Sequence, residues 1–148
     1  MIFSRTDATN KDFIALTKEL DAYLKTTDGD EHDFYHQFNG IESLNTVIIA
    51  YHNEIPIGCG AIKHYNDSTL EIKRMYVTPN FRGKGVASKI LKELEQWSRD
   101  LKYTTCILET GTRQLEAIAL YHKNFYKQIS NYGPYNEAEN SLCFKKTI

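Results

Sequence analysis

The chain has 148 residues, 41% hydrophobic and 25% charged, with a formal net charge of −1. It is long enough to bury a real core as one domain over residues 1–148. Its near-neutral charge gives no basis for non-specific nucleic-acid binding, and no apolar run approaches the ~20 residues of a membrane span. The opening MIFSRTDATNK has no apolar signal-peptide core, so a cytoplasmic location is expected. Cys59, Cys106 and Cys143 are odd in number, far apart and set in apolar surroundings, which reads as buried reduced thiols. No Cys/His pair has metal-ligand spacing, so no metal is expected.

In chain order, residues 2–5 read as a strand, and the polar stretch 6–10 as the start of a helix. Thr9 and Asp12 have capping-box spacing there, with Asp in place of Glu. Phe13, Leu16, Leu20 and Leu24 mark the buried face of that helix, which runs to about Leu24. An acidic patch at 28–33 follows, then Phe34, Tyr35 and Phe38 in a short second helix ending near Gly40. The patch reads as a solvated loop or as an attractor for a cationic amine.

From Thr46 the period changes to that of strands. TVIIAY (46–51) and IPIGCGAIKHY (55–65) are joined by a short hairpin connection, and a turn at 66–68 leads into LEIKRMYV (70–77). These three should form an antiparallel meander. Within LEIKRMYV the apolar parity slips: Leu70 and Ile72 share one face, Met75 and Val77 the other. One extra residue near Lys73–Arg74, a β-bulge, would reconcile them.

TPNF then turns the chain into Arg82-Gly83-Lys84-Gly85, and Val86, Ile90, Leu91, Leu94 and Trp97 recur at helical spacing. A glycine loop at a helix N-terminus offers unpaired amides and a positive dipole end to an anion. Arg82 and Lys84 add mobile positive charge, so a pyrophosphate is the expected ligand group. Neither G-x-x-x-x-G-K-S/T nor a G-x-G-x-x-G after a strand is present.

TCILET (105–110) reads as a strand buried on both faces and parallel to 70–77, because a helix connects the two. Residues 114–124 form a helix whose core-facing set includes Ala117, Ile118, Leu120 and Tyr121. A strand at 127–130, a turn at 132–135 and a last strand at 141–145 complete the chain.

The run Arg82-x-x-Gly85-x-Ala87 matches the motif Gln/Arg-x-x-Gly-x-Gly/Ala. With MYVTPNFRGKGVASKIL (75–91), EAIALYHK (116–123) and the order of elements, it resembles the GNAT superfamily of acetyl-CoA-dependent N-acetyltransferases. That resemblance implies an α/β fold with a mixed, mostly antiparallel sheet, a splayed parallel strand pair and flanking helices. It implies acetyl-CoA as co-substrate and an amine acceptor, with direct attack in a ternary complex and the protein a monomer or homodimer. Main-chain groups of Met75, Tyr76 and Val77 would pair with the pantetheine arm. Arg82, Gly83, Lys84, Gly85, Val86, Ala87 and Ser88 would hold the diphosphate.

Glu71 matches the general-base position of several members, and its plain reading is an exposed strand carboxylate paired with Lys73 or Lys63. Tyr121 matches the tyrosine that protonates the departing thiolate; its plain reading is a core residue. Glu109 is the reserve base, and with Tyr35 a candidate for acceptor contact.

Two positions depart from the family pattern. Gln114 stands where many members have Asn, and Phe125 replaces the usual glycine, leaving Asn124 as the expected left-handed helix cap. A non-catalytic acyl-CoA-binding or sensing domain is the alternative function. A nucleotide-binding module is a third reading, weakened by the missing P-loop signature.

Overall fold

The computed structural model describes residues 1–29 and 44–148. The expected second helix, most of the acidic patch and Tyr35 lie outside the described residues. Strand β1 (Ile2–Thr6) leads into helix α1 (Lys11–Asp28), which is longer than the apolar spacing alone marks. The expected capping box is not what starts α1. Asn10 is the N-cap, and its side-chain oxygen accepts from the amides of Asp12 and Phe13 at 2.8 and 3.3 Å. Thr9 is occupied instead by Asp7, which takes both its amide and its hydroxyl.

Strands β2 (Thr46–His52), β3 (Ile55–Asn66) and β4 (Thr69–Val77) form the expected antiparallel meander. Asn53 and Glu54, at φ 50° and 67°, make the two-residue β2–β3 turn, the pair of left-handed conformations a tight hairpin requires. A 3-10 turn (Pro79–Phe81) then leads to helix α2 (Val86–Asp100), strand β5 (Thr105–Gly111) and helix α3 (Leu115–Lys123). Strands β6 (Lys127–Ile129) and β7 (Ser141–Thr147) follow, and the seven-stranded order is β1-β2-β3-β4-β5-β7-β6.

The sheet has a core on each face. Helix α1 buries Phe13, Leu16 and Leu20 against Val47, Ile49, Cys59 and Tyr76. Helix α2 covers the other face with Val86, Ile90, Leu91 and Leu94, joined by Tyr121, Tyr126 and Phe144. Gly60 permits the close approach of α2, since an added Cβ would stand 2.6 Å from Met75 Sδ and 2.8 Å from Leu94 Cδ1.

Glu95, on α2, is also buried, a position that helical spacing alone does not mark as internal. Its carboxylate accepts from Tyr126 and Lys146, each at 2.9 Å, so the charge is paired and hydrogen-bonded. The three cysteines are free and buried. Among the described residues no helix is long and apolar enough to cross a membrane.

Parity slips where the strand pattern requires. Cys59 pairs with Tyr76 and Ala61 with Lys73, so β4 carries one residue more than β3 across this interval. Arg74 absorbs it with φ at 57°. Leu70, Ile72, Met75 and Val77 consequently all address the α2 side.

Candidate functional site

Parallel strands β4 and β5 are paired only at Thr69–Thr105, Leu70–Cys106 and Glu71–Ile107. Beyond Glu71 they part, β4 running on to Val77 and β5 to Gly111. A cleft of about 770 Å³ occupies the fork, lined by both strands, the glycine loop and the starts of α2 and α3.

At one end stands the loop. Gly83 and Gly85 have φ of 74° and 80°, and a Cβ built on either meets nothing within 4 Å. Both conformations suit glycine, and the space beside them is open. Gly85 is the N-cap of α2, and the first helical bond is Lys89 N to Gly85 O at 3.2 Å. The amides of Val86, Ala87 and Ser88 therefore have no intrahelical partner, and these three residues line the cleft.

Arg82 is less mobile than expected. Its Nε donates to Val77 O at 2.8 Å, and its guanidinium lies 5.2 and 5.4 Å from the ring centres of Tyr23 and Tyr76. Lys84 is exposed, 5.3 Å above the Phe81 ring, and its side chain does not form the cleft wall.

On the α3 side Tyr121 is 5% exposed, against Tyr126 and Phe144. Burial, reinforced by the Glu109 charge, raises the pKa of its phenol, so it is protonated at neutral pH. Gln114 falls at the N-cap rather than inside α3, and its buried Nε2 has no hydrogen-bond partner.

The expected left-handed cap at Asn124 is not found. Asn124 has φ −97°, and Phe125 takes the left-handed conformation at φ 70°. Asn124 instead donates from Nδ2 to Ser88 Oγ (3.0 Å) and Leu120 O (2.9 Å), tying the end of α3 to the start of α2.

Across the fork, on the α1 face, Glu71 is far from exposed, with a side chain 13% accessible. Tyr132 Oη donates to its Oε2 at 2.6 Å, and Lys73 Nζ lies 3.9 Å from Oε1. Lys73 Nζ also donates to Tyr135 Oη at 3.4 Å. Burial pulls the pKa of the Lys73 ammonium down, against the opposing pull of Glu71 and Glu109. Glu109 lines the same cleft, its Oε2 accepting from Ser141 Oγ at 2.7 Å. Met75, Tyr76 and Val77 form its β4 wall.

Sequence reasoning overlooked Arg74, Tyr132 and Tyr135 as parts of this site. Arg74 had a signal in the parity slip; the tyrosines had none, since 61 residues separate Tyr132 from Glu71.

The residues present fit an elongated ligand with an anionic end and amides along its length. Open glycines and unpaired helix amides suit the anion, and the partnerless Gln114 Nε2 suits an amide oxygen.

The profile of the acetyltransferase (GNAT) family matches residues 13–125. An IAA acetyltransferase of Azospirillum brasilense is 31% identical over 143 residues, covering 91% of this chain and 90% of that protein. A solved Klebsiella pneumoniae protein assigned to the acyl-CoA N-acyltransferases superposes with TM-score 0.83 at 30% identity, over 99% of this chain and 96% of the other. A GNAT family acetyltransferase from Elizabethkingia anophelis, solved with acetyl-CoA bound, shares the fold at TM-score 0.69 and 18% identity, covering 99% and 97%.

Proposed function

The chain belongs to the acetyltransferase (GNAT) family, and on that premise we propose that it transfers the acetyl group of acetyl-CoA to a primary amine by direct attack, with both substrates bound together. One observation carries the reading. The fork between β4 and β5 joins, in one cleft, a helix start that can hold a diphosphate and carboxylates that can take a proton.

Bound acetyl-CoA supplies an acetyl group activated as a thioester. The amides of Val86, Ala87 and Ser88, with Gly83 and Gly85 beside them, would hold its diphosphate, with Lys84 and Arg82 contributing positive charge. Main-chain groups of Met75, Tyr76 and Val77 would pair along the pantetheine arm as a further strand would, and Gln114 Nε2 would donate to an amide oxygen of the arm.

A lysine-like amine has a pKa of ~10.4 and must lose a proton before it can attack. Glu71, held by Tyr132, would accept that proton directly or through water, with Glu109 as the second candidate. Main-chain N–H groups beside the bulge would donate to the acetyl oxygen as negative charge grows on it. Tyr121, buried and protonated, would return a proton to the departing sulfur.

The test is thiol release from acetyl-CoA with a panel of amines. Release that depends on the amine supports transfer. Tight binding of the coenzyme with no turnover of any amine would make the protein a coenzyme-binding domain instead.

A further inference from the structure

Resting on the acetyl-transfer reading, the connection between β6 and β7 also has a part in the reaction. The fork that opens the cleft ends the pairing of β4 with β5 at Glu71–Ile107. Beyond that pair no ladder ties the two strands, so charged side chains on their parting stretches need another tie. Glu71, Lys73 and Glu109 line the cleft there, and each is met by a residue between 132 and 141.

Tyr132 and Tyr135 stand at the two ends of a 3-10 turn, with Tyr135 N donating to Tyr132 O at 3.0 Å. Gly133 opens that turn at φ 52°. The turn sets the two rings edge-on, 5.9 Å apart, and sends both hydroxyls to β4. Tyr132 Oη donates to Glu71 Oε2 at 2.6 Å, and Tyr135 Oη accepts from Lys73 Nζ at 3.4 Å. Lys73 Nζ in turn lies 3.9 Å from Glu71 Oε1. Both oxygens of the carboxylate are thus addressed, one directly and one through Lys73. A carboxylate has about four acceptor sites, so room is left for the proton of an incoming amine.

The segment is itself braced. Asn131 Nδ2 donates to Ala138 O at 3.2 Å and to Ser141 O at 3.1 Å, and Tyr135 is buried against Cys143. At its far end Ser141 Oγ donates to Glu109 Oε2 at 2.7 Å. One stiff stretch of chain therefore holds carboxylates on both sides of the fork. Reacting groups work best when their own supports are locked in this way.

We propose that Tyr132 and Tyr135 are positioning residues of the transfer, Tyr132 acting through Glu71 and Tyr135 through Lys73 to hold the base in one orientation. In the transfer an amide C–N bond forms as the thioester C–S bond breaks. The amine's proton passes to Glu71, and the sulfur takes one from Tyr121.

The experiment measures thiol release from acetyl-CoA with aliphatic amines, amino acids and their amides, and follows kcat for the most active amine. Tyr132→Phe keeps the ring and should lower kcat by ~10–100-fold, the scale of a misplaced reacting group, with coenzyme affinity unchanged. In a Glu71→Gln background the same substitution should change kcat less than ~2-fold, because its effect runs through that carboxylate. Tyr135→Phe should lower kcat by a smaller factor, and by nothing further once Lys73→Met is present. Losses that multiply in either pair, as a merely structural role requires, would overturn the inference and leave acetyl transfer intact. A kcat untouched by Tyr132→Phe would overturn it too. Absence of release by the parent with every amine would overturn the acetyl-transfer reading and this inference together.

Discussion

Tyr132 donates a 2.6 Å hydrogen bond to Oε2 of Glu71. The phenol is itself set edge-on to Tyr65 and Tyr135, at centroid distances of 5.4 and 5.9 Å. An aromatic stack therefore fixes the direction of the carboxylate. Glu71→Gln keeps the shape and an acceptor for Tyr132 but cannot take a proton. It should lower kcat by ~10²–10⁴-fold, the usual worth of a general base, with unchanged affinity for acetyl-CoA. A kcat close to that of the parent would pass the role to Glu109.

Gly85→Glu places a side chain and a negative charge in the open space beside the α2 N-cap. At ~100 times its dissociation constant a ligand adds about 2.7 kcal/mol to stability. Acetyl-CoA should give the parent a thermal shift of that origin, and the variant none, with the far-ultraviolet spectrum preserved. An undiminished shift would remove the diphosphate from this loop.

Tyr121→Phe keeps the ring packed against Tyr126 and Phe144 and deletes only the hydroxyl. Turnover should fall by ~10²-fold while coenzyme affinity holds, as for the loss of a proton donor. Parallel losses in turnover, affinity and melting temperature would make this tyrosine a packing residue.

Phe125 holds φ at 70° while the residue is 79% exposed, so little packing offsets the backbone cost. A left-handed conformation costs a side-chain-bearing residue ~1–2 kcal/mol. Phe125→Gly should raise the unfolding free energy by about 1 kcal/mol in urea titrations. A lower midpoint would show that the ring's place near Lys146 outweighs the relief.

Burial pushes the Cys59 thiol up to about 12 from 9.0. The unfolded chain releases this proton first, so the fold binds more protons over that interval and stability falls as pH rises. The contribution is fully present below pH ~9 and lost through pH ~12. Tyr51, pushed up to about 12 by burial and Asp12, acts in the same direction. Urea midpoints from pH 8 to 10.5 should decline, and Cys59→Ala should flatten the decline. An identical slope in the variant would assign the loss to other groups.

Much of the fold is legible because its signals are local. The parity slip in LEIKRMYV marks the bulge that Arg74 accommodates, and the glycine loop marks the start of α2. The misplaced features depend on competition between neighbours. Asp7 occupies Thr9 and leaves Asn10 to cap α1, while Ser88 and Leu120 hold Asn124 and pass the left-handed position to Phe125. Glu95 looks solvent-facing until Tyr126 and Lys146 are brought to it. Tyr132 and Arg74 join the candidate site only through contacts distant in sequence, which no window of residues contains.

The fork also has a mechanical consequence. Strands β1 to β4 make one blade and β5, β7 and β6 another, riveted along the sheet by three residue pairs at the Thr69–Glu71 end. A molecule lying along the free margin of β4 would act as a splint between the blades. Filling the gap should therefore stiffen β4 and β5 together, with their amides slowing in hydrogen exchange as a unit rather than one by one.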